Sequence, residues 1–80
     1  MQAHEVKQII ESHIQGAEVE TAGEGCNFEV QVVSEQFEGL MPVKRQQLVY
    51  KCVEQQIADG TIHALTIKAY TPAQWEKLQG

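Results

Sequence analysis

Two metal-binding residue types, cysteine and histidine, stand out in the 80-residue sequence. Cys26 lies in a Gly-Glu-Gly-Cys-Asn segment, where exposure and nearby backbone amides would leave a thiolate available. His63 follows the Asp-Gly pair at 59–60 and begins a predicted strand. It is either a hydrogen-bonded histidine at the end of the core or an imidazole presented at the rim of the sheet. Both side chains suit zinc or an iron–sulfur centre, but a closed site needs four ligands. A metal held by this pair would therefore be shared with another molecule.

The remaining cysteine and histidines favour structural roles. Cys52 falls among apolar residues of a predicted helix, which is typical of a small buried hydrophobe. His13 shares an apolar helical stripe with Val6 and Ile10. His4 and His13 are nine residues apart, about half a rotation out of phase on a helix, so they cannot form one site by themselves.

Basic residues begin the longest predicted helix. Lys44 and Arg45 lie in its first turn, and Lys51 follows on its polar face. They are either solvated lysines with an arginine whose stem covers apolar surface, or a contact for a small anion or a partner. No nucleophile and base occur at a recognisable spacing, and no phosphate-binding loop is present, so the sequence predicts no enzyme.

Composition indicates a small globular protein that acts on a partner. Eleven acidic and six basic residues give a net charge of −5, which disfavours nucleic-acid binding by the whole surface. Hydrophobic residues make up 42%, too many for a disordered chain, yet 80 residues leave little room for a deep pocket. The absence of a secretory signal and of a membrane-length apolar run predicts a cytoplasmic protein with no membrane partner.

Hydrophobic periodicity predicts an α/β (α+β) domain with the order α-β-β-α-α-β-α. The first two strands form an antiparallel hairpin, and the third returns through a helical crossover, which favours a three-stranded mixed sheet covered on one face by helices. Thr71 to Gln74 reads as a capping box with proline at the first helical position. The predicted helices cover 3–15, 34–39, 42–59 and a short segment from 72; the predicted strands cover 17–22, 27–34 and 62–70.

Three segments of the sequence resemble the BolA family. They are Phe37-Glu38-Gly39, the run from Val43 to Tyr50, and the run Ile62-His63-Ala64-Leu65-Thr66-Ile67-Lys68-Ala69-Tyr70-Thr71-Pro72-Ala73-Gln74-Trp75. The Lys-Ala-Tyr-Thr-Pro-Ala-Gln-Trp ending and the Arg-Gln-Gln segment are most similar to the IbaG (YrbA-like) branch. The resemblance covers essentially the whole chain, so we expect a single BolA-like domain over residues 1–80.

The resemblance implies a class II KH-like fold and a specific partner. Family members bind monothiol glutaredoxins, and the two proteins share a 2Fe–2S cluster whose coordination glutathione and the glutaredoxin cysteine complete. His63 matches the histidine ligand of the family. The second ligand comes from the loop between the first two strands, where Cys26 is the only candidate. The implied function is an accessory role in iron–sulfur assembly, trafficking or iron sensing.

Two alternatives remain open from the sequence. The helix-turn-helix-like segment of the family would place Lys44, Arg45, Lys51 and Lys68 near DNA, as in a transcriptional or stress-response regulator. The chain could instead bind glutaredoxin without any metal. The sequence does not decide whether the chain forms a homodimer or binds DNA weakly.

Overall fold

The computed structural model describes residues 1–25 and 27–79. Its elements are helix α1 (Ala3–His13), strands β1 (Glu18–Glu24) and β2 (Asn27–Val33), a 3₁₀ turn (Glu35–Phe37), helices α2 (Pro42–Cys52) and α3 (Glu54–Ala58), strand β3 (Ala64–Tyr70) and helix α4 (Pro72–Gln79). None of the helices in these residues has the length and hydropathy needed to cross a bilayer.

The three strands form one mixed sheet in the order β1-β2-β3. Strands β1 and β2 pair antiparallel, with Glu24 opposite Asn27 at the hairpin end. Strands β2 and β3 pair parallel, with Asn27 opposite Ala64. The parallel pairing follows from the crossover through α2 and α3, which returns the chain to the end of the sheet where β2 began. The predicted mixed sheet is confirmed.

Helices cover one face of the sheet. Phe28, Val30 and Val32 alternate along β2 and are buried against the helices, whereas the residues between them project from the opposite face. The predicted stripe of α1 supplies Val6, Ile10 and Ile14, all buried. The remaining buried members of this core are Val19, Phe37, Val49, Val53 and Ile62.

The sequence signals at the ends of α1 and α4 differ in outcome. Helix α1 ends at His13, two residues before its predicted end at 15, and its C-cap is Ile14 in an extended conformation. Gly16, with a left-handed φ of 76°, lies in the turn that follows. At α4, the Thr71 N–H donates to Gln74 Oε1 at 3.1 Å, and the Gln74 N–H donates to Thr71 Oγ1 at 3.2 Å. These reciprocal bonds form the predicted capping box.

The predicted long helix over 42–59 is wrong in one respect, since it is divided at Val53. This residue has φ −119° and ψ 18°, and its N–H bonds to the Tyr50 carbonyl three residues back at 3.1 Å. The Ile57 N–H then bonds to the Val53 carbonyl, and α3 continues. Val53 is wholly buried and β-branched, a residue type of low helix propensity.

Strand β1 also extends two residues beyond its predicted end at 22. Gly23, which follows the predicted strand, pairs with Phe28 of β2. Its φ is 117°, and a β-carbon there would overlap the Asn27 carbonyl oxygen. Only glycine allows the two strands to approach so closely at this point.

Candidate metal centre

His63 lies at the rim of the sheet, one residue before β3. Its side chain is exposed, which favours the rim interpretation over that of a histidine enclosed at the end of the core. On one side Ile62 is buried, with 1% of its surface exposed, and its N–H donates to the Gln56 carbonyl at 3.0 Å. On the other side Ala64 pairs with Asn27 of β2. The backbone at residue 63 is therefore held from both sides.

The register of the sheet brings the start of β2 to the same rim. Asn27, the residue after Cys26, pairs with Ala64, the residue after His63. Cys26 itself lies outside the described residues, so its role as the second ligand stays a prediction. Within residues 1–25 and 27–79, no group of three or more His, Cys, Asp or Glu side chains could hold a metal ion. Among these residues the rim offers a single imidazole, which fits one position of a coordination sphere completed by other groups.

The turn before His63 is hydrogen-bonded, and its role was missed by sequence reasoning. Asp59 Oδ1 accepts from the Thr61 N–H at 2.9 Å and from Thr61 Oγ1 at 2.5 Å. These two bonds lower the pKa of Asp59, the side-chain bond more than the backbone bond. Gly60 has a φ of 83°, and the His63 Nε2 lies 3.9 Å from the position a β-carbon on Gly60 would occupy. The Asp-Gly-Thr triplet is a typical signal for such a turn.

The other two histidines lie on α1, and Cys52 lies at the end of α2. His13, the last residue of α1, is exposed, so its predicted place on the buried stripe is wrong. Its Nδ1 lies 2.8 Å from the Ile9 carbonyl oxygen, one turn earlier in the helix. His4 is also exposed on α1. Cys52 is half-buried, its Sγ donates to the Leu48 carbonyl at 3.3 Å, and burial raises the pKa of its thiol.

The four basic residues predicted to contact a partner or DNA do not form one patch. Lys44 and Lys51 are exposed on α2, which packs on the helical face of the sheet. Lys68 projects from the opposite face, where its Nζ lies 2.9 Å from Glu29 Oε1 and this ion pair raises the pKa of Lys68.

Arg45 is engaged within the fold. Its Nε donates to the Leu40 carbonyl at 2.9 Å, and its Nη1 donates to Gln74 Oε1 at 2.6 Å and to the Ala69 carbonyl at 3.4 Å. The guanidinium therefore joins the start of α2 to the end of β3 and the start of α4. This geometry favours the structural interpretation of Arg45 over that of a partner contact.

Comparisons with known proteins agree on one family. Residues 1–74 match the BolA family, described as BolA-like protein. The chain is 42% identical over 77 residues to the acid stress protein IbaG of Escherichia coli strain K12, which covers 96% of this chain and 92% of the relative.

Solved structures give the same result. The structure of a BolA homologue from Coxiella burnetii matches with a TM-score of 0.84 and 35% identity, over 95% of this chain and 97% of that one. The BolA domain of SufE1 from Arabidopsis thaliana matches with a TM-score of 0.73 and 28% identity, over 90% and 93%.

Proposed function

Because the chain belongs to the BolA family, we propose that it is an accessory protein of iron–sulfur assembly, trafficking or iron sensing. In this role it binds a monothiol glutaredoxin, and the two proteins share a 2Fe–2S cluster with glutathione. His63 is one ligand and Cys26 is the second. The chain acts as a binding protein in this proposal and not as an enzyme.

The observation that carries the proposal is the position of His63. Its imidazole is exposed at a rim of the sheet, on a backbone held by the buried Ile62 and by the first pair of the β2–β3 ladder. A second protein could approach a side chain placed in this way without unfolding any element. The register also starts β2 immediately after Cys26 at the same rim, so the expected pair of ligands is compatible with the fold.

The chemistry of the two side chains suits a shared and exchangeable site. A neutral imidazole in place of a thiolate reduces the negative charge around a 2Fe–2S cluster and raises its reduction potential, as in Rieske centres. An exposed rim leaves the remaining coordination positions to the partner. His63 would bind through one ring nitrogen and leave the other to solvent or to the partner surface. Such an arrangement favours transfer or sensing over permanent storage.

The basic residues give DNA binding no comparable support. Lys44 and Lys51 lie on one side of the sheet, Lys68 lies on the other, and the half-buried Arg45 is hydrogen-bonded to Leu40 and Gln74. The net charge of −5 also opposes binding to a polyanion.

Reconstitution with a monothiol glutaredoxin, glutathione and iron and sulfide tests the proposal. We expect a visible absorption and circular dichroism spectrum that differs from that of the glutaredoxin alone and that accompanies a one-to-one complex in native mass spectrometry. His63→Ala should lose this spectrum, whereas His13→Ala, which removes another exposed imidazole, should retain it. An unchanged spectrum in His63→Ala would contradict the assignment of His63 as a ligand.

A further inference from the structure

The residues immediately before His63 form a short hydrogen-bonded turn. Helix α3 ends at Ala58, and the Asp59 N–H still bonds to the Gln55 carbonyl at 3.0 Å. Asp59 then accepts two hydrogen bonds from Thr61, one from its backbone and one from its hydroxyl. This Asx-type turn fixes the direction in which the chain leaves the helix.

The imidazole lies over the middle of this turn. The 3.9 Å separation between His63 Nε2 and the position of a β-carbon on Gly60 is an ordinary van der Waals distance. The exposed ring therefore has its Nε2 beside Gly60. The left-handed φ of 83° gives the turn its shape and favours glycine at position 60.

We infer that the Asp59–Thr61 turn positions the His63 imidazole, with Asp59 and Thr61 as positioning residues that act through Gly60. This inference rests on the proposed function, because it concerns the orientation of the proposed ligand. The ring of a ligating histidine is oriented by the groups around it, and mutating such groups typically costs about 10–100-fold in metal affinity or activity. An exposed side chain with no such support would lose rotamer entropy each time it bound.

Two substitutions of Asp59 separate the effect of its hydrogen bonds from the effect of its negative charge. Asp59→Ala removes the acceptor and releases Thr61, whereas Asp59→Asn keeps an oxygen that can accept the same two bonds but removes the negative charge. Glu76→Ala removes one exposed carboxylate from α4 and is the matched control for net charge. Because Asp59 is exposed, the fold should survive both of its substitutions, and circular dichroism checks this.

The first measurement uses the protein without a cluster. We expect nuclear Overhauser effects between the His63 ring protons and the Gly60 α-protons in the wild type, in Asp59→Asn and in Glu76→Ala, and weakened ones in Asp59→Ala. Their absence in the wild type would overturn the inference, whatever the cluster does. So would their full retention in Asp59→Ala.

The second measurement uses the cluster-loaded complex with glutaredoxin. Asp59→Ala should accelerate cluster loss by about 10-fold, the lower end of the effect seen for groups that orient a ligating histidine, and Asp59→Asn should restore the wild-type rate. Equal rates in the wild type and Asp59→Ala, with a rapid loss in His63→Ala, would overturn the inference and leave the proposed function intact. A stable cluster in His63→Ala would instead contradict the proposed function.

Discussion

Replacing Arg45 tests whether its guanidinium serves the fold or a partner. Arg45→Met keeps the apolar stem and removes three donated bonds, to Leu40, Gln74 and Ala69. The bonds of 2.9 and 2.6 Å have good distances, and the third, at 3.4 Å, is long. A charge-assisted bond contributes about 1.5–3 kcal/mol when buried, but Arg45 is half-buried and its acceptors can rehydrate, so we take about 1 kcal/mol for each short bond.

The substitution should therefore lower the free energy of unfolding by about 2 kcal/mol. Small domains have about 0.05–0.15 kcal/mol of stability per residue, so a chain of this length has roughly 4–12 kcal/mol and the loss is a large fraction of it. At about 4–8 °C per kcal/mol, the midpoint of thermal unfolding should fall by about 8–16 °C.

Thermal and urea unfolding, followed by far-ultraviolet circular dichroism, measure this change. Lys44→Met is the matched control, because it removes a neighbouring exposed cation and should stay within about 0.5 kcal/mol of the wild type. Arg45→Lys keeps the charge but lacks the planar fork, so it should recover only part of the loss. If Arg45→Met and Lys44→Met unfold at the same temperature, these hydrogen bonds contribute nothing and the guanidinium is free for a partner.

Two further predictions concern the glycines of the hairpin and the dependence of stability on pH. Gly23→Ala should lower the free energy of unfolding by more than about 1 kcal/mol, because the new β-carbon would overlap the Asn27 carbonyl oxygen. Gly25→Ala should lower it less, because the space around Gly25 is open. Urea unfolding compares the two variants, and equal losses would refute the steric argument. The hydrogen bonds from Thr61 lower the pKa of Asp59, so they stabilise the fold above the usual value of 3.8 and the contribution is lost as the pH falls through the lowered pKa. The difference in melting temperature between the wild type and Asp59→Ala should therefore be constant from pH 5 to pH 8 and shrink only under strongly acidic conditions. A difference that persists at the lowest accessible pH would contradict this prediction.

Local signals in the sequence predicted most of the fold. The α1 stripe, the hairpin and the Thr71–Gln74 capping box each depend on residues close together in the chain, and the structure confirms them. The division at Val53 could not be predicted in this way. The apolar pattern from 42 to 59 is compatible with one continuous helix, and it does not distinguish Val53 from Val49, which is equally buried inside α2.

The geometry of the candidate site could not be predicted from the sequence. The sequence left His63 between two environments, and only the three-dimensional arrangement places it at an exposed rim over Gly60. The engagement of Arg45 by Gln74 joins residues 29 positions apart, so no local pattern could indicate it. Lys68 shares a charge with Lys44, but strand alternation puts it on the opposite side of the sheet, where Glu29 pairs with it.

The central claim, that His63 binds a cluster shared with a partner, is tested most directly by pulsed electron paramagnetic resonance. The cluster is assembled with a monothiol glutaredoxin and this protein carrying histidine labelled with the heavy nitrogen isotope, and is then reduced. We predict a hyperfine coupling from one labelled imidazole nitrogen that is present in the wild type and in His13→Ala and absent in His63→Ala. A coupling that persists in His63→Ala, or a wild-type cluster without any coupled histidine nitrogen, would contradict the account.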